Sequence, residues 1–235
     1  FQHVGMDGVT KPYNRIAPMA SQFLEEMVQL QPQGPYYLAG SSFGGVIAFE
    51  IAQQLKARGE EVALLVLMDT AAPGYPIPTK RFHPLPLFYL LIGMGWVPED
   101  WKQKRTLIRM RRVFKRHKHR TKQRLLKWYY ENSDTPKPYY YRSVQLLDLA
   151  KEAKANYSPD PYDTSVLIIR TQHKPCSDYY RPDSTLGWGS WLKGPVSYID
   201  IDGPHGAQIK EPWVKDCAAR LRKHLDEVFS GKSGK

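Results

Sequence analysis

"YYLAGSSFGGVIAFEIAQQLKARGEEVALLVLMDT", residues 36 to 70, carries the punctuation from which the fold is read. Tyr36 to Ala39 is a short apolar run that suits a strand. Gly40 to Gly45 then packs three glycines and two serines into one turn. From Gly45 to Arg58, Ile47, Ile51 and Leu55 recur at helical spacing, and Gly59 supplies a stop. Val62 to Met68 is unbroken and rich in branched side chains, the pattern of a strand buried on both faces of a parallel sheet. Strand, glycine-rich turn, helix, strand begins an α/β alternation.

The same alternation extends in both directions. Upstream, Ala17 to Leu30 places Met19, Phe23, Met27 and Leu30 three or four apart, which predicts an amphipathic helix, and "QPQGP" ends it. Downstream, "SVLIIRT" (165–171) and "VSYIDI" (196–201) repeat the buried-strand pattern, and Trp213 to Phe229 predicts a closing helix. An α/β fold with a mostly parallel sheet and helices on both faces is expected. Between Asp69 and Ser165 the strand pattern gives way to the Pro-rich "AAPGYPIPTKRFHPLPL", a basic run, and a helical period at Val144, Leu147 and Ala150 or Lys151. This predicts one domain over 1–230, interrupted by a helical insertion over 75–157. The Gly/Ser/Lys tail, 231–235, is expected to be disordered.

Composition limits what the chain can be. At 235 residues with 42% apolar side chains it is long enough for one substantial core. Two cysteines, Cys176 and Cys217, are too few for a disulfide framework and lack metal-ligand spacing, so a reducing, cytoplasmic setting and no metal are expected. The most apolar stretch, Leu87 to Met94, is too short and too interrupted to span a bilayer, so a soluble protein is expected. The net charge of +11 is concentrated: Lys102 to Lys127 holds 13 Lys or Arg and no acidic residue. A solvated helix face would account for it, because Leu107, Met110, Val113 and Phe114 can pack while the cations face water. The alternative is docking of an acidic partner or attraction of an anionic substrate, with Arg111, Arg112, Lys115 and Arg116 as the binding groups.

The glycine-rich turn is where chemistry is expected. Gly40-Ser41-Ser42-Phe43-Gly44 fits G-x-S-x-G only with Ser42 at its centre, and Gly40 and Gly44 are the positions where strand and helix must approach a strained turn. By chance alone the pattern turns up in about one chain in ten of this length, so its weight comes from the flanking strand and helix. The helix that follows aims its first amides at the same point, which makes the Phe43 N–H half of an oxyanion hole. A serine hydroxyl needs a base and an orienting carboxylate. Of seven histidines, His205 in "IDIDGPHGAQ" follows the last predicted strand and reaches the carboxyl edge of the sheet, where open α/β sheets carry their sites. His173, after "SVLIIRT", also lies at a strand end. For the carboxylate, Asp69 ends the strand next to the Ser42 unit, and Asp178 or Asp183 are the rival positions.

Residues 34 to 74, with G-P-Y-x-L-A-G-x-S-x-G-G, A-F-E-x-A, G-E-x-V and L-x-D-T, resemble the type I thioesterase domains of polyketide synthases and nonribosomal peptide synthetases, members of the α/β-hydrolase superfamily. The likeness is looser at Gly187-Trp188 and "DGPHGAQIKEP" and absent from the insertion. It implies an α/β-hydrolase sheet, a helical lid in the place of the insertion, and Asp69 rather than Asp178 as the triad carboxylate. It also implies a serine thioesterase with no bound cofactor. Its acyl or peptidyl substrate would be delivered on the phosphopantetheine arm of an acidic acyl or peptidyl carrier protein and released by hydrolysis or cyclisation. Three departures stand out. Family members start with a strand and a His-x-x-Gly-Gly-like loop that gives the second oxyanion donor, whereas "FQHVGMDG" resembles the segment after it, so the amino-terminal strands are expected to precede Phe1 or to be replaced by another segment. Ser41 stands where a larger or aromatic residue is usual, leaving room beside Ser42. Gly206 replaces the bulky residue that often follows the histidine. A stand-alone editing thioesterase or an ester hydrolase is the nearest alternative, and a basic nucleic-acid- or membrane-binding module is a more distant one.

Overall fold

The computed structural model describes residues 4, 5, 7, 10, 12–75, 121, 124–126, 128–130, 132, 133, 135, 137–171 and 183–232. Their elements run α1 (Ile16–Leu30), β1 (Tyr36–Ser41), α2 (Phe43–Ala57), β2 (Val62–Met68), α3 (Tyr139–Ala155), β3 (Val166–Thr171), β4 (Val196–Ile201) and α4 (Val214–Lys232). Short 3-10 turns lie at Trp188–Ser190 and Ala207–Ile209. The four strands form one parallel sheet in the order β1-β2-β3-β4. Parallel neighbours need a crossover between them, and α2 provides the one from β1 to β2.

Alternation along the strands divides the core in two. Leu65 and Leu67 of β2 and Val166 and Ile168 of β3 face one side, where they pack with α1 and α2. Leu64, Val66, Leu167 and Ile169 face the other, where Ile199, Ile201, Cys217 and the partly buried Trp213, Leu221 and Leu225 cover them. Burial of β2 on both faces explains why its sequence shows no polar alternation. Each fully buried leucine contributes about 1.5–3 kcal/mol relative to exposure.

Helix α1 buries Ile16, Met19, Ala20, Phe23 and Leu24, one stripe at the i, i+3, i+4, i+7, i+8 spacing. Leu30, taken above as part of that stripe, is exposed in the last turn. Helix α3 departs further from its expected face. Its period points to Val144, Leu147 and Ala150, yet Leu147 is 61% exposed and it is Ala153 that joins the core.

The chain divides into two compact units, Phe1–Thr79 with Arg142–Lys235, and Lys80–Tyr141. In the second unit the described residues 121, 124–126 and 128–130 are helical, and the Tyr130 ring packs on Tyr141 with centroids 4.6 Å apart. The expected docking groups Arg111, Arg112, Lys115 and Arg116 lie outside the described residues, as do His173, Cys176 and Asp178. Helix α4 runs to Lys232. Among the described residues no helix is long and apolar enough to cross a membrane, and no cluster of His, Cys, Asp or Glu could hold a metal ion.

Candidate active site

Ser42 is the single residue between β1 and α2, and it holds φ 53° and ψ −118°. A serine at positive φ costs of order 1–3 kcal/mol, and the surrounding backbone enforces it. The Ser42 N–H donates to the Met68 carbonyl at 2.9 Å, which continues the β1–β2 ladder up to the turn. A Cβ on Gly40 would overlap the Gly44 carbonyl oxygen and lie 2.5 Å from Gly45 Cα, so only glycine lets the helix start this close to the strand. Gly45 is as tightly placed, since a Cβ there would overlap Thr70 Oγ1. Gly44 is different. Its added Cβ would meet nothing within 4 Å, so the close approach assigned above to Gly40 and Gly44 belongs instead to Gly40 and Gly45. Helix α2 begins at Phe43, and its first amides therefore belong to the turn that carries Ser42.

Asp69 follows β2 directly and also sits at positive φ, 49°. Its N–H donates to the Ile169 carbonyl at 2.7 Å, continuing the β2–β3 ladder. The carboxylate is held from the end of β3: Thr171 N–H donates to Oδ1 at 3.2 Å and Thr171 Oγ1 to Oδ2 at 2.7 Å. His205 lies beyond β4, in a loop that turns at Gly203 (φ 129°) and Gly206 (φ 84°). Its Nδ1 is 2.6 Å from Asp69 Oδ2 and its Nε2 is 3.2 Å from Ser42 Oγ. An ionised carboxylate only accepts, so Nδ1 carries the proton and Nε2 is left as the acceptor facing the serine hydroxyl. The Asp69 side chain is 9% exposed and that of His205 61%, so the carboxylate is sheltered and the ring is open to an incoming molecule. Asp183, the described rival carboxylate, accepts from the N–H and hydroxyl of Thr185, both at 2.7 Å, and closes its own turn.

Beneath this surface the turn rests on a buried tie. Thr70 is fully buried and its hydroxyl lies 3.1 Å from the Met68 carbonyl. The Trp188 indole N–H donates to the Thr70 carbonyl at 2.8 Å, and the Trp188 ring stacks on Phe49 of α2 with centroids 4.5 Å apart. Sequence reasoning gave no role to Thr171, Thr70 or Trp188, although Thr70 closes the L-x-D-T motif and Trp188 stands in the Gly187-Trp188 match. Thr171 carried a usable signal, as the last residue of the strand paired beside β2.

A family model for the thioesterase domain matches residues 2–85, which include β1, Ser42, β2 and Asp69. The match covers the first third of the chain, the part that carries two of the three residues of the site. The chain is 25% identical over 219 residues to chondramide synthase cmdD of Chondromyces crocatus, covering 91% of this chain and 6% of that protein. It is 29% identical over 212 residues to the dimodular nonribosomal peptide synthase of Bacillus subtilis (strain 168), covering 89% of this chain and 8% of that one. Over 68 residues, 29% of this chain, it is 44% identical to malpibaldin synthetase of Mortierella alpina. The chain thus spans less than a tenth of the length of each of these relatives.

Among solved structures, it is similar to the NocB thioesterase domain in covalent complex with a fluorophosphonate nocardicin G analog. The TM-score is 0.58 and the identity 23%, covering 92% of this chain and 76% of that one. Similarity to the four-domain nonribosomal peptide synthetase AB3403 gives a TM-score of 0.59 at 23% identity, covering 97% of this chain and 17% of that one. At such identities the likeness establishes the α/β-hydrolase fold.

Proposed function

We propose that this chain is a thioesterase domain that releases an acyl, polyketide or peptidyl chain from the phosphopantetheine arm of a carrier protein, with Ser42 as nucleophile, His205 as general base and Asp69 as its orienting carboxylate. The observation that carries this reading is the unbroken contact from Asp69 Oδ2 through both ring nitrogens of His205 to Ser42 Oγ. In the first half-reaction Oγ attacks the thioester carbonyl carbon while its proton passes to Nε2. The resulting oxyanion is met by the Phe43 N–H at the start of α2. Collapse breaks the C–S bond, and the sulfur leaves as a thiol with the proton that His205 held. In the second half-reaction His205 takes a proton from water, or from a hydroxyl or amine of the acyl chain, which attacks the ester and restores Ser42. Asp69 remains ionised throughout and stabilises the imidazolium.

The basic segment from Lys102 to Lys127 acts in this reading as the part that meets the carrier. No resident cofactor takes part, since the phosphopantetheine arrives with the substrate.

The test is acyl-enzyme formation on a small thioester. Ser42→Ala abolishes the burst of released thiol and labelling by a fluorophosphonate, and an undiminished burst overturns the assignment of the nucleophile. Loss of Asp69 lowers the acylation rate by about 10⁴-fold and loss of His205 by about 10⁶-fold.

A further inference from the structure

His205 needs support that its own bonds do not give. Its ring is mostly exposed, so the loop that carries it must be held in place by its neighbours. Ala207, fully buried, fits by shape: a Cβ on Gly203 would lie 2.8 Å from that of Ala207. Gln208, 2% exposed, is a polar side chain placed where an apolar one would be expected. Its Nε2 donates to Ser41 Oγ at 3.1 Å, while its Oε1 is buried with no hydrogen-bond partner among the described residues. Burying an amide oxygen unpaired costs stability that a methionine of similar length would not. The side-chain bond that Gln208 makes among the described residues joins two specific places, the residue before Ser42 and the residue three beyond His205, across 167 positions of sequence.

We propose that Gln208 is a positioning residue, which grips Ser41 to tie the His205 loop to the strand that ends at Ser42 and so sets the hydroxyl-to-imidazole separation. The inference rests on the assignment of Ser42 and His205 as nucleophile and base. It also gives Ser41 a role. A small hydroxyl at this position lets the Gln208 side chain reach β1 and offers it an acceptor.

The experiment compares Gln208→Met, Ser41→Ala and the double variant with the wild-type domain, by thermal unfolding and by single-turnover acylation on a small thioester. Gln208→Met unfolds at a temperature equal to or above wild type, and its acylation rate falls about 10- to 100-fold at unchanged KM, as expected when a reacting pair is misplaced. The double variant is no slower than the slower single one, because both changes cut the same tie. Ser41→Ala removes one oxygen and keeps the test alive should Gln208→Met not fold. Wild-type acylation in the variants, multiplicative losses in the double variant, or a lower unfolding temperature with an unchanged rate per folded molecule would each overturn the proposal. Fluorophosphonate labelling of the wild-type domain separates the two levels. Absence of label on Ser42 defeats the nucleophile assignment itself, whereas labelling of Gln208→Met at the wild-type rate defeats only the tie.

Discussion

At the scale of single residues, the three glycines around Ser42 are not equivalent. Gly40 and Gly45 have backbone and the buried Thr70 side chain where a Cβ would go, so Gly40→Ala and Gly45→Ala should each destabilise the domain by several kcal/mol, on the order of an overpacked core. Gly44 lies in the first turn of α2 with open space beside it, and Gly44→Ala should be neutral or stabilise by up to about 1 kcal/mol. Urea unfolding of the three variants checks the ranking, and a Gly44→Ala variant as unstable as Gly40→Ala would contradict it. Thr171 is a second such case. It supplies two of the hydrogen bonds that hold the Asp69 carboxylate, so Thr171→Val, which keeps the shape and removes the hydroxyl, should slow acylation by about 10-fold. The same variant measured by thermal unfolding should move little, and an unchanged acylation rate would show the threonine to be a bystander.

At the scale of elements, legibility follows how strongly burial writes itself into the sequence. Strand β2 is apolar along its whole length because both faces are covered, and its bounds can be read directly from Val62 to Met68. Ser42, Asp69 and His205 are legible for a related reason: each stands just past an apolar run, and parallel strands bring such ends to one edge. The roles of Gln208 and Trp188 are hidden because their partners lie 167 and 118 residues away, and no local period signals a pairing at that distance, whereas Thr171 is marked by its place at the end of the strand beside β2. Helix α3 misleads for the opposite reason. Its weak pattern admits more than one face, and packing selected the one through Ala153. Leu147→Lys should therefore change stability by no more than about 0.5 kcal/mol, where a core leucine such as Leu65→Ala costs about 2–5. Just beyond α3, the Tyr157 hydroxyl donates to Glu50 of α2 at 2.6 Å, and burial followed by that carboxylate pushes its phenol well above the ordinary range. The unfolded chain ionises this tyrosine near pH 10 while the folded one holds its proton to higher pH, so its contribution is intact below about pH 10 and declines progressively as pH rises from there towards the folded value. Tyr157→Phe should flatten the alkaline decline of stability, and a decline of unchanged slope would assign it to other groups.

At the scale of the whole molecule, charge is distributed by segment. The 26 residues from Lys102 to Lys127 hold more positive charge than the entire chain has net, which leaves the remainder close to neutral. If that segment meets an acidic carrier, reversing Arg111, Arg112, Lys115 and Arg116 to glutamate should slow turnover of carrier-bound thioesters severalfold and spare small-molecule thioesters, with the difference shrinking as salt is raised. Equal losses on both substrates would argue for a structural role. The sheet has a consequence of its own. The site draws its parts from the ends of all four strands, with partners 136 and 163 positions apart, so no fragment that registers only β1 with β2 can hold an imidazole beside the hydroxyl. Contacts this distant in sequence are slow to close from a disordered chain. On dilution out of denaturant, helical ellipticity should return before esterolytic competence does, and the interval between them times the arrival of the last strand.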